Sequence, residues 1–409
     1  MDTHKSNNII ANRDILVTGL QSIDSKLGSN AVNLAIEFSK RNRVLYINYP
    51  LDRKTEWRYK SDPEVKKRLE IIQGKAPDLV KISSNLWTLY PKTILESISQ
   101  VPTFKLFTLL NKINNKRFCR KIKEAIDKLG FSDIIWFNDS DFYRLFYLKK
   151  YISVNASLYY SRDNMIATPY FRKHGAIMEG LMMQKSDAVV TNSVYLQKYA
   201  LKFNDNSFYV GQGCDITAFN KELVCSVPSD IAKISKPIIG YIGAVIKLRL
   251  DIDLIEFLAS RKPEWNFVFV GPEDDHFLQS KLHQMANVYF LGSKNQSELP
   301  SYLYSFNVAF NPQAINEITI GNYPRKIDEY LAMGKPVVAT YTEAMQVFKH
   351  YVYLATSYSD FLFSIQNALD EKDKTLAEQR ERLAKEHTWE VNANEIYKVI
   401  NMLIEKEKS

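Results

Sequence analysis

Apolar residues recur along this chain in two similar series. In the first, an apolar run at 15–19 precedes a loop over 21–30, then Val32, Ala35, Ile36 and Phe38 at helical spacing, then a run at 44–49. Further runs at 134–137, 156–160 and 188–191 are separated by helix-length segments. The second series has strand-like runs at 238–242, 267–271, 288–291, 309–311 and 337–340, with a helical pattern over 254–260. Short apolar strands alternating with helices predict parallel sheets covered on both faces, so the fold class is α/β with two Rossmann-like, doubly wound domains. Polar turns with little periodicity over 208–220 and 224–237 mark a linker. The pattern predicts an N-terminal domain over 1–205, a linker over 206–236, a C-terminal domain over 237–385 and a C-terminal helix over 386–409. The stretch 51–128 reads as irregular and basic, ending in an amphipathic segment over 104–129.

Composition narrows the class. With 409 residues, 45% hydrophobic and only 14 Gly and 14 Pro, disordered and collagen-like readings fail. Residues 1–14 lack the charged start and apolar run of a secretory signal, and no apolar run is long enough for a membrane-spanning helix. Cys119, Cys214 and Cys225 are scattered and carry no metal-ligand spacing. A cytoplasmic location is expected. The net charge of +8 hides an asymmetry: residues 1–200 hold 32 Lys+Arg and 19 Asp+Glu (+13), whereas 201–409 hold 22 and 27 (−5). A basic half suits nucleic acid, an anionic membrane or a phosphorylated ligand. No helix-turn-helix, zinc or RNP pattern accompanies it, which argues against nucleic acid.

The most informative stretch is 322–340, NYPRKIDEYLAMGKPVVAT. Pro324 suits a first helical turn, and Gly334 suits a helix end ahead of Pro336 and a buried strand. Ile327, Tyr330 and Leu331 share one stripe, while Lys326 and Glu329, three residues apart, share another. At the C-terminal edge of a parallel sheet such a face can hold a nucleotide, the carboxylate on the ribose hydroxyls and the ammonium and helix N-terminus on the phosphates. The alternative is a solvated face on which Lys326 and Arg325 bridge Glu329.

The segment EYLAMGKPVV resembles the nucleotide-binding motif of the GT-B glycosyltransferases, especially the retaining families of the group 1, family 4-like kind. KSDAVVTNSVYL (185–196), VGQGCDITAF (210–219), IIGYIGAV (238–245), WNFVFVGP (265–272) and VYFLGSKNQSELPSYL (288–303) are similar to successive landmarks of that fold, in order. The resemblance implies two domains facing a cleft, with the C-terminal helix returning to the first. It implies that Glu329 holds the donor ribose and that Lys326, with Gly243, Lys247 and Arg249, meets the diphosphate. Gly292 and Ser293, with Lys294, would cup the nucleobase. Lys247 and Arg249 have an ordinary-surface alternative, pairing with Asp251 or Asp253.

The pattern departs from the family in one place. A first glutamate is expected eight positions before Glu329, where Gly321 stands, and the nearest carboxylate is Glu317. Glu317 or Thr319 is therefore the candidate contact to the donor sugar. On the acceptor side, Arg162 and Asp163 end a strand. Asp163 is either a base for the acceptor hydroxyl or a helix cap and partner of Arg162. His174 is a candidate polar wall or a packing residue, and the loop with Gly28, Ser29 and Asn30 could present N–H groups to phosphate or acceptor. Asp139-Ser140-Asp141 spells a metal-binding pair of another fold, but caps at strand ends look the same, and no metal is expected.

Residues 101–126 carry seven basic residues and one acidic one beside Phe104, Leu106, Phe107, Leu109 and Leu110. They suit either a helix lying on an anionic bilayer or one packed on the sheet. The expected activity is metal-independent, hexosyltransferase-like transfer from a nucleotide diphosphate sugar, UDP- or GDP-linked, to a glycan or lipid-linked saccharide in bacterial surface polysaccharide synthesis. Peripheral contact with the inner membrane face and no cofactor are expected as well. A nucleotide-sugar 2-epimerase and an inactive nucleotide- or glycan-binding protein are the alternatives.

Overall fold

The computed structural model describes residues 10–25 and 28–408. The chain divides into two compact units, 1–211 with 392–409, and 212–391.

The first unit is built on β1 (Asp14–Gly19), β2 (Arg43–Ile47), β3 (Leu51–Asp52), β4 (Leu79–Lys81), β5 (Leu86–Leu89), β6 (Ile94–Leu95), β7 (Ile135–Asp139), β8 (Ala156–Ser161), β9 (Ala188–Thr191) and β10 (Ser207–Tyr209). Eight of these form one sheet in the order β10-β9-β8-β7-β1-β2-β5-β4, while β3 and β6 pair separately. Every pairing in the large sheet is parallel except β4 with β5. The inner strands are buried on both faces, as their unbroken apolar runs require. The strand order reverses between β1 and β7, where Gly19 lies opposite Asp139. Helix Phe104–Leu129 packs Phe107, Phe118, Ile122 and Ile126 into the core with Leu16, Leu45 and Trp136. The C-terminal helix joins this unit from Asn392, with the Tyr397 ring 5.4 Å from Phe38 and its hydroxyl accepting from Asn42 Nδ2 at 3.1 Å.

The second unit carries β11 (Ile238–Ile242), β12 (Asn266–Val270), β13 (Val288–Phe290), β14 (Val308–Asn311), β15 (Val337–Thr340) and β16 (Tyr353–Ala355), all parallel in the order β13-β12-β11-β14-β15-β16. Its order reverses between β11 and β14.

Three boundaries differ from expectation. The stretch assigned to the linker from 206 begins with β10, which completes the first sheet, and residues 212–236 belong to the second unit. The tail joins the first unit only from Asn392, since 386–391 stay with the second. The stretch 51–128, read as irregular up to its amphipathic end, contains helices Arg53–Arg58 and Pro63–Ile72 and strands β3 to β6. Most of those strands are too short to show a period.

Candidate donor site

In open parallel sheets, ligands bind beyond the carboxyl ends of the strands where the order reverses. In the second unit that point is reached by the segments after β11 and β14, and they are stitched together. Ala314 N donates to Arg249 O at 2.9 Å, Asp251 N to Pro312 O at 2.9 Å and Asn316 Nδ2 to Leu248 O at 2.8 Å. Helix Lys326–Ala332 stands directly after this loop, its first turn opening at Pro324, whose carbonyl accepts from Ile327 N. Ile327, Tyr330 and Leu331 point into the core, and Tyr330 Oη takes the N–H of Ile242 at the end of β11. That contact fixes the helix against the strand and turns Lys326 and Glu329 outward, where both are partly buried.

Lys326 Nζ lies 3.8 Å above the Tyr241 ring and donates to its hydroxyl. Burial lowers its pKa to about 7; the Arg249 charge acts in the same direction and Glu329 opposes it. Burial raises Glu329 to about 7, with Arg325 and Lys326 pulling it down and Asp328 and Asp215 pushing it up. Two groups of opposite charge type are thus desolvated beside each other, an arrangement found where a ligand supplies the missing partners. Gly243 makes room for them: a Cβ there would lie 2.7 Å from Lys326 Nζ, and its φ of +142° is one only glycine adopts readily. Gly271, the residue after β12, packs on it so closely that a Cβ would fall 1.9 Å from Gly243 O.

The remaining expected donor residues divide. Lys247 and Arg249 are exposed on the loop after β11, with Lys247 N donating to Asp274 Oδ2. The Arg249 charge reaches both Lys326 and Tyr241. Gly292 has φ +68° with open space where a Cβ would stand, and Ser293 beside it is exposed. Lys294, by contrast, is paired with Asp230 at 2.7 Å. Glu317 is exposed on the loop before the helix. Thr319 is 1% exposed, and its hydroxyl donates to Ala314 O and accepts from Asn316 N, so it shapes this loop from within. The helix has only seven residues, too short for much of a dipole, so positive charge here comes mainly from side chains.

Sequence reasoning missed Asp328. It is fully buried and accepts from His387 Nδ1 at 2.7 Å and from Tyr323 Oη at 2.9 Å. Burial raises its pKa and the His387 contact opposes that. His387 O in turn accepts Cys214 N at 2.8 Å. The signal was present as a carboxylate beside Glu329, but its partner lies 59 residues away, beyond any spacing rule.

In the first unit, Arg162 holds Asp139 and Asp163, each at 2.7 Å. Asp141 pairs with Arg144 and accepts from the N–H groups of Tyr143 and Arg144, so Asp139 and Asp141 serve separate arginines. His174 is buried, with Nε2 2.8 Å from Val101 O and its ring 4.5 Å from Phe107: a packing residue. Gly28 is exposed, whereas Ser29 and Asn30 are buried at the start of helix Asn30–Ser39, with Asn30 Nδ2 3.4 Å from Tyr160 Oη. Of the loop 25–30, residues 26 and 27 lie outside the described residues.

The family model "Glycosyl transferases group 1" matches residues 236–369. TuaH of Bacillus subtilis (strain 168), named for a glycosyltransferase role in teichuronic acid biosynthesis, is 27% identical over 248 residues, covering 58% of this chain and 62% of TuaH. The match therefore spans less than two thirds of that relative. Among solved structures, sucrose-phosphate synthase from Thermosynechococcus elongatus superposes with a TM-score of 0.66 at 14% identity, covering 97% of this chain and 100% of that one. The Anabaena HepE protein in complex with UDP and glucose gives 0.61 at 16% identity, covering 96% and 100%. The UDP-forming α,α-trehalose-phosphate synthase from Burkholderia vietnamiensis gives 0.67 at 10% identity, covering 98% and 99%. The chain has the GT-B fold, and its second unit matches the group 1 glycosyltransferases.

Proposed function

We propose that the protein is a glycosyltransferase that moves a hexosyl group from a nucleotide diphosphate sugar to a hydroxyl of a glycan or lipid-linked saccharide. The observation that carries this is the outward pair Lys326 and Glu329, desolvated at the switch point of the second sheet. In this reading Glu329 accepts from the ribose hydroxyls. Lys326, with Arg249 and Lys247, meets the diphosphate, whose negative charge grows as the glycosidic bond breaks. Fixed cations then do this without a metal. Gly292 and Ser293 face the base, and Glu317 is the carboxylate nearest the donor sugar in sequence. UDP is favoured because HepE is described with UDP and the trehalose-phosphate synthase as UDP-forming; a GDP-sugar is the second candidate. Acceptor recognition belongs to the first unit. The likeness to TuaH supports a role in surface polysaccharide synthesis, carried out at the inner face of the plasma membrane.

A thermal-shift screen against UDP-, GDP-, ADP- and dTDP-linked sugars tests the donor. Stabilisation by a nucleotide sugar together with transfer to an acceptor supports the proposal; no response to any of them overturns it. Gly321, at the position of the expected first glutamate, favours one second reading, a nucleotide-binding protein without turnover. Tight binding with no transfer to any acceptor would select it. Epimerised donor formed without acceptor would instead identify a 2-epimerase.

A further inference from the structure

Helix Phe104–Leu129 leaves an apolar surface unaccounted for. Its core-facing stripe is complete, with Phe107, Phe118, Cys119, Ile122, Ala125 and Ile126 all buried. Yet Leu106, Leu109 and Ile113, spaced three and four residues apart on the opposite side, are 42%, 57% and 39% exposed. The exposed stripe is therefore a second apolar face on a helix whose first is already satisfied.

Helix Gly175–Lys185 carries a smaller exposed apolar pair of its own. It buries Met178, Met182 and Met183 while Ile177 and Leu181, one turn apart, are 53% and 37% exposed. The two helices are neighbours at two places along their length. Near their starts, the rings of Phe104 and Phe107 lie 6.0 and 4.5 Å from His174, the residue preceding the second helix. Farther along both, Lys112 and Lys185 lie 6.0 and 5.1 Å from the same Tyr147 ring. They thus run in the same direction, and Lys112 and Lys185 border the apolar residues.

Charge identifies the occupant. From residue 104 to 123 there is no Asp or Glu, while Lys105, Lys112, Lys116, Arg120 and Lys123 are exposed. The one acidic residue of helix Gly175–Lys185, Glu179, is buried. An apolar strip edged by cations with no exposed carboxylate matches the interface of an anionic bilayer. A second copy of the same face would bring like charges together. Among the described residues no helix is long and apolar enough to cross a membrane, so the contact is superficial. We propose that helix Phe104–Leu129 seats the first unit on an anionic lipid surface, Leu106, Leu109 and Ile113 entering the acyl boundary and the lysines beside them meeting the headgroups. The inference deepens the membrane-side reading above and is independent of the transfer chemistry.

The test is co-sedimentation of the full chain with vesicles of phosphatidylcholine alone or containing phosphatidylglycerol, and nucleotide-sugar binding is measured on the same preparations. The wild type should pellet with the anionic vesicles and be released by salt. The double variant Leu109→Ser, Ile113→Ser should bind them roughly tenfold or more weakly, since two inserted aliphatic side chains are lost. Lys112→Glu with Lys116→Glu should weaken binding to anionic vesicles comparably, while Phe363→Ser, an exposed aromatic of the second unit, should leave it unchanged. Equal binding of wild type and Leu109→Ser, Ile113→Ser, or no preference for anionic vesicles, overturns the proposal. So does a wild-type dimer in sedimentation velocity that this double variant converts to monomer, which would assign the face to a second copy. Retained nucleotide binding alongside lost vesicle binding would leave the donor site standing.

Discussion

Affinity for a nucleotide sugar should pass through a maximum near neutral pH. The two side chains assigned to the donor both titrate at about 7, Lys326 pulled down and Glu329 pushed up by burial. The diphosphate needs the ammonium form of one and the ribose hydroxyls need the carboxylate form of the other. At roughly pH 5.5 a carboxyl titrating near 7 is ionised in only about 3% of molecules, and at roughly pH 8.5 an amine titrating near 7 is protonated in about 3%. If each partner is required, about a quarter of molecules are competent at the maximum, so affinity falls about eightfold on either side. With the ordinary values of 4.5 and 10.5, the profile would be almost flat over the same range. The perturbation is pH itself, and the assay is calorimetric titration with an intact nucleotide sugar, whose diphosphate diester does not titrate there. Glu329→Gln should remove the acid limb and Lys326→Arg the alkaline limb, because a guanidinium stays charged throughout. A flat profile for the wild type, or a bell that survives both substitutions, would refute the reasoning. The same shifts bear on stability with opposite signs. The raised Glu329 contributes fully below its usual range, and that contribution is lost as pH rises through about 7. The lowered Lys326 contributes above its usual range, and that contribution is lost as pH falls through about 7. Near neutrality neither helps the empty protein, so ligand should raise the melting temperature most clearly there.

Three further outcomes are expected. Glu329→Ala should weaken nucleotide-sugar binding by roughly tenfold to a hundredfold, as removal of charge-assisted hydrogen bonds does, and Glu317→Ala should change it little; equal calorimetric affinities for the two variants would show that the ribose contact lies elsewhere. His387→Ala should cost about 3–5 kcal/mol in urea unfolding, because it leaves the Asp328 carboxylate buried with the Tyr323 hydroxyl still donating to it but no cationic partner, while a loss under about 1 kcal/mol would mean that Asp328 is neutral in the folded state. Gly271→Ala should lower stability by on the order of 3 kcal/mol or more and abolish nucleotide binding with it, since its Cβ would overlap Gly243 O; a variant with unchanged melting temperature would contradict the packing of β11 against β12.

Much of the architecture was legible because parallel strands buried on both faces leave unbroken apolar runs. Strands β9, β11 and β15 begin and end where those runs do. Elements with too few residues to express a period were not legible: β4, β10 and β16 have three residues each, and their edge positions come from the sheet they join. The pairing of Lys326 with Glu329 on one face was readable from the three-residue spacing alone, and so was the inward stripe of Ile327, Tyr330 and Leu331. What spacing could not supply was the floor beneath Lys326. Tyr241 and Gly243 lie some eighty residues earlier in the chain and reach the lysine only because β11 and helix Lys326–Ala332 meet at one sheet edge. The amphipathic segment shows the same limit from the other side. Its sequence fitted a packed helix and a membrane helix equally well, and the structure has it packing one apolar stripe while a second stays exposed.

The donor helix also explains why a short element can hold so much titratable chemistry. Within five consecutive residues its side chains take three directions: Ile327 and Tyr330 go into the core, Lys326 and Glu329 outward, and Asp328 sideways to His387 and Tyr323. A seven-residue helix has little stability of its own, so its position depends on these tertiary contacts. Tyr330 ties it to β11 through Ile242 N, and Asp328 ties it to the segment that carries His387 and, through His387 O, to Cys214. With the helix held on two sides, Lys326 and Glu329 keep a fixed geometry despite the cost of desolvating both. That rigidity is what electrostatic stabilisation of a departing diphosphate requires, because groups already oriented need not reorganise as charge develops. The buried Asp328–His387 contact is thus a condition for the outward pair to act together, even though neither member is assigned a contact with the nucleotide.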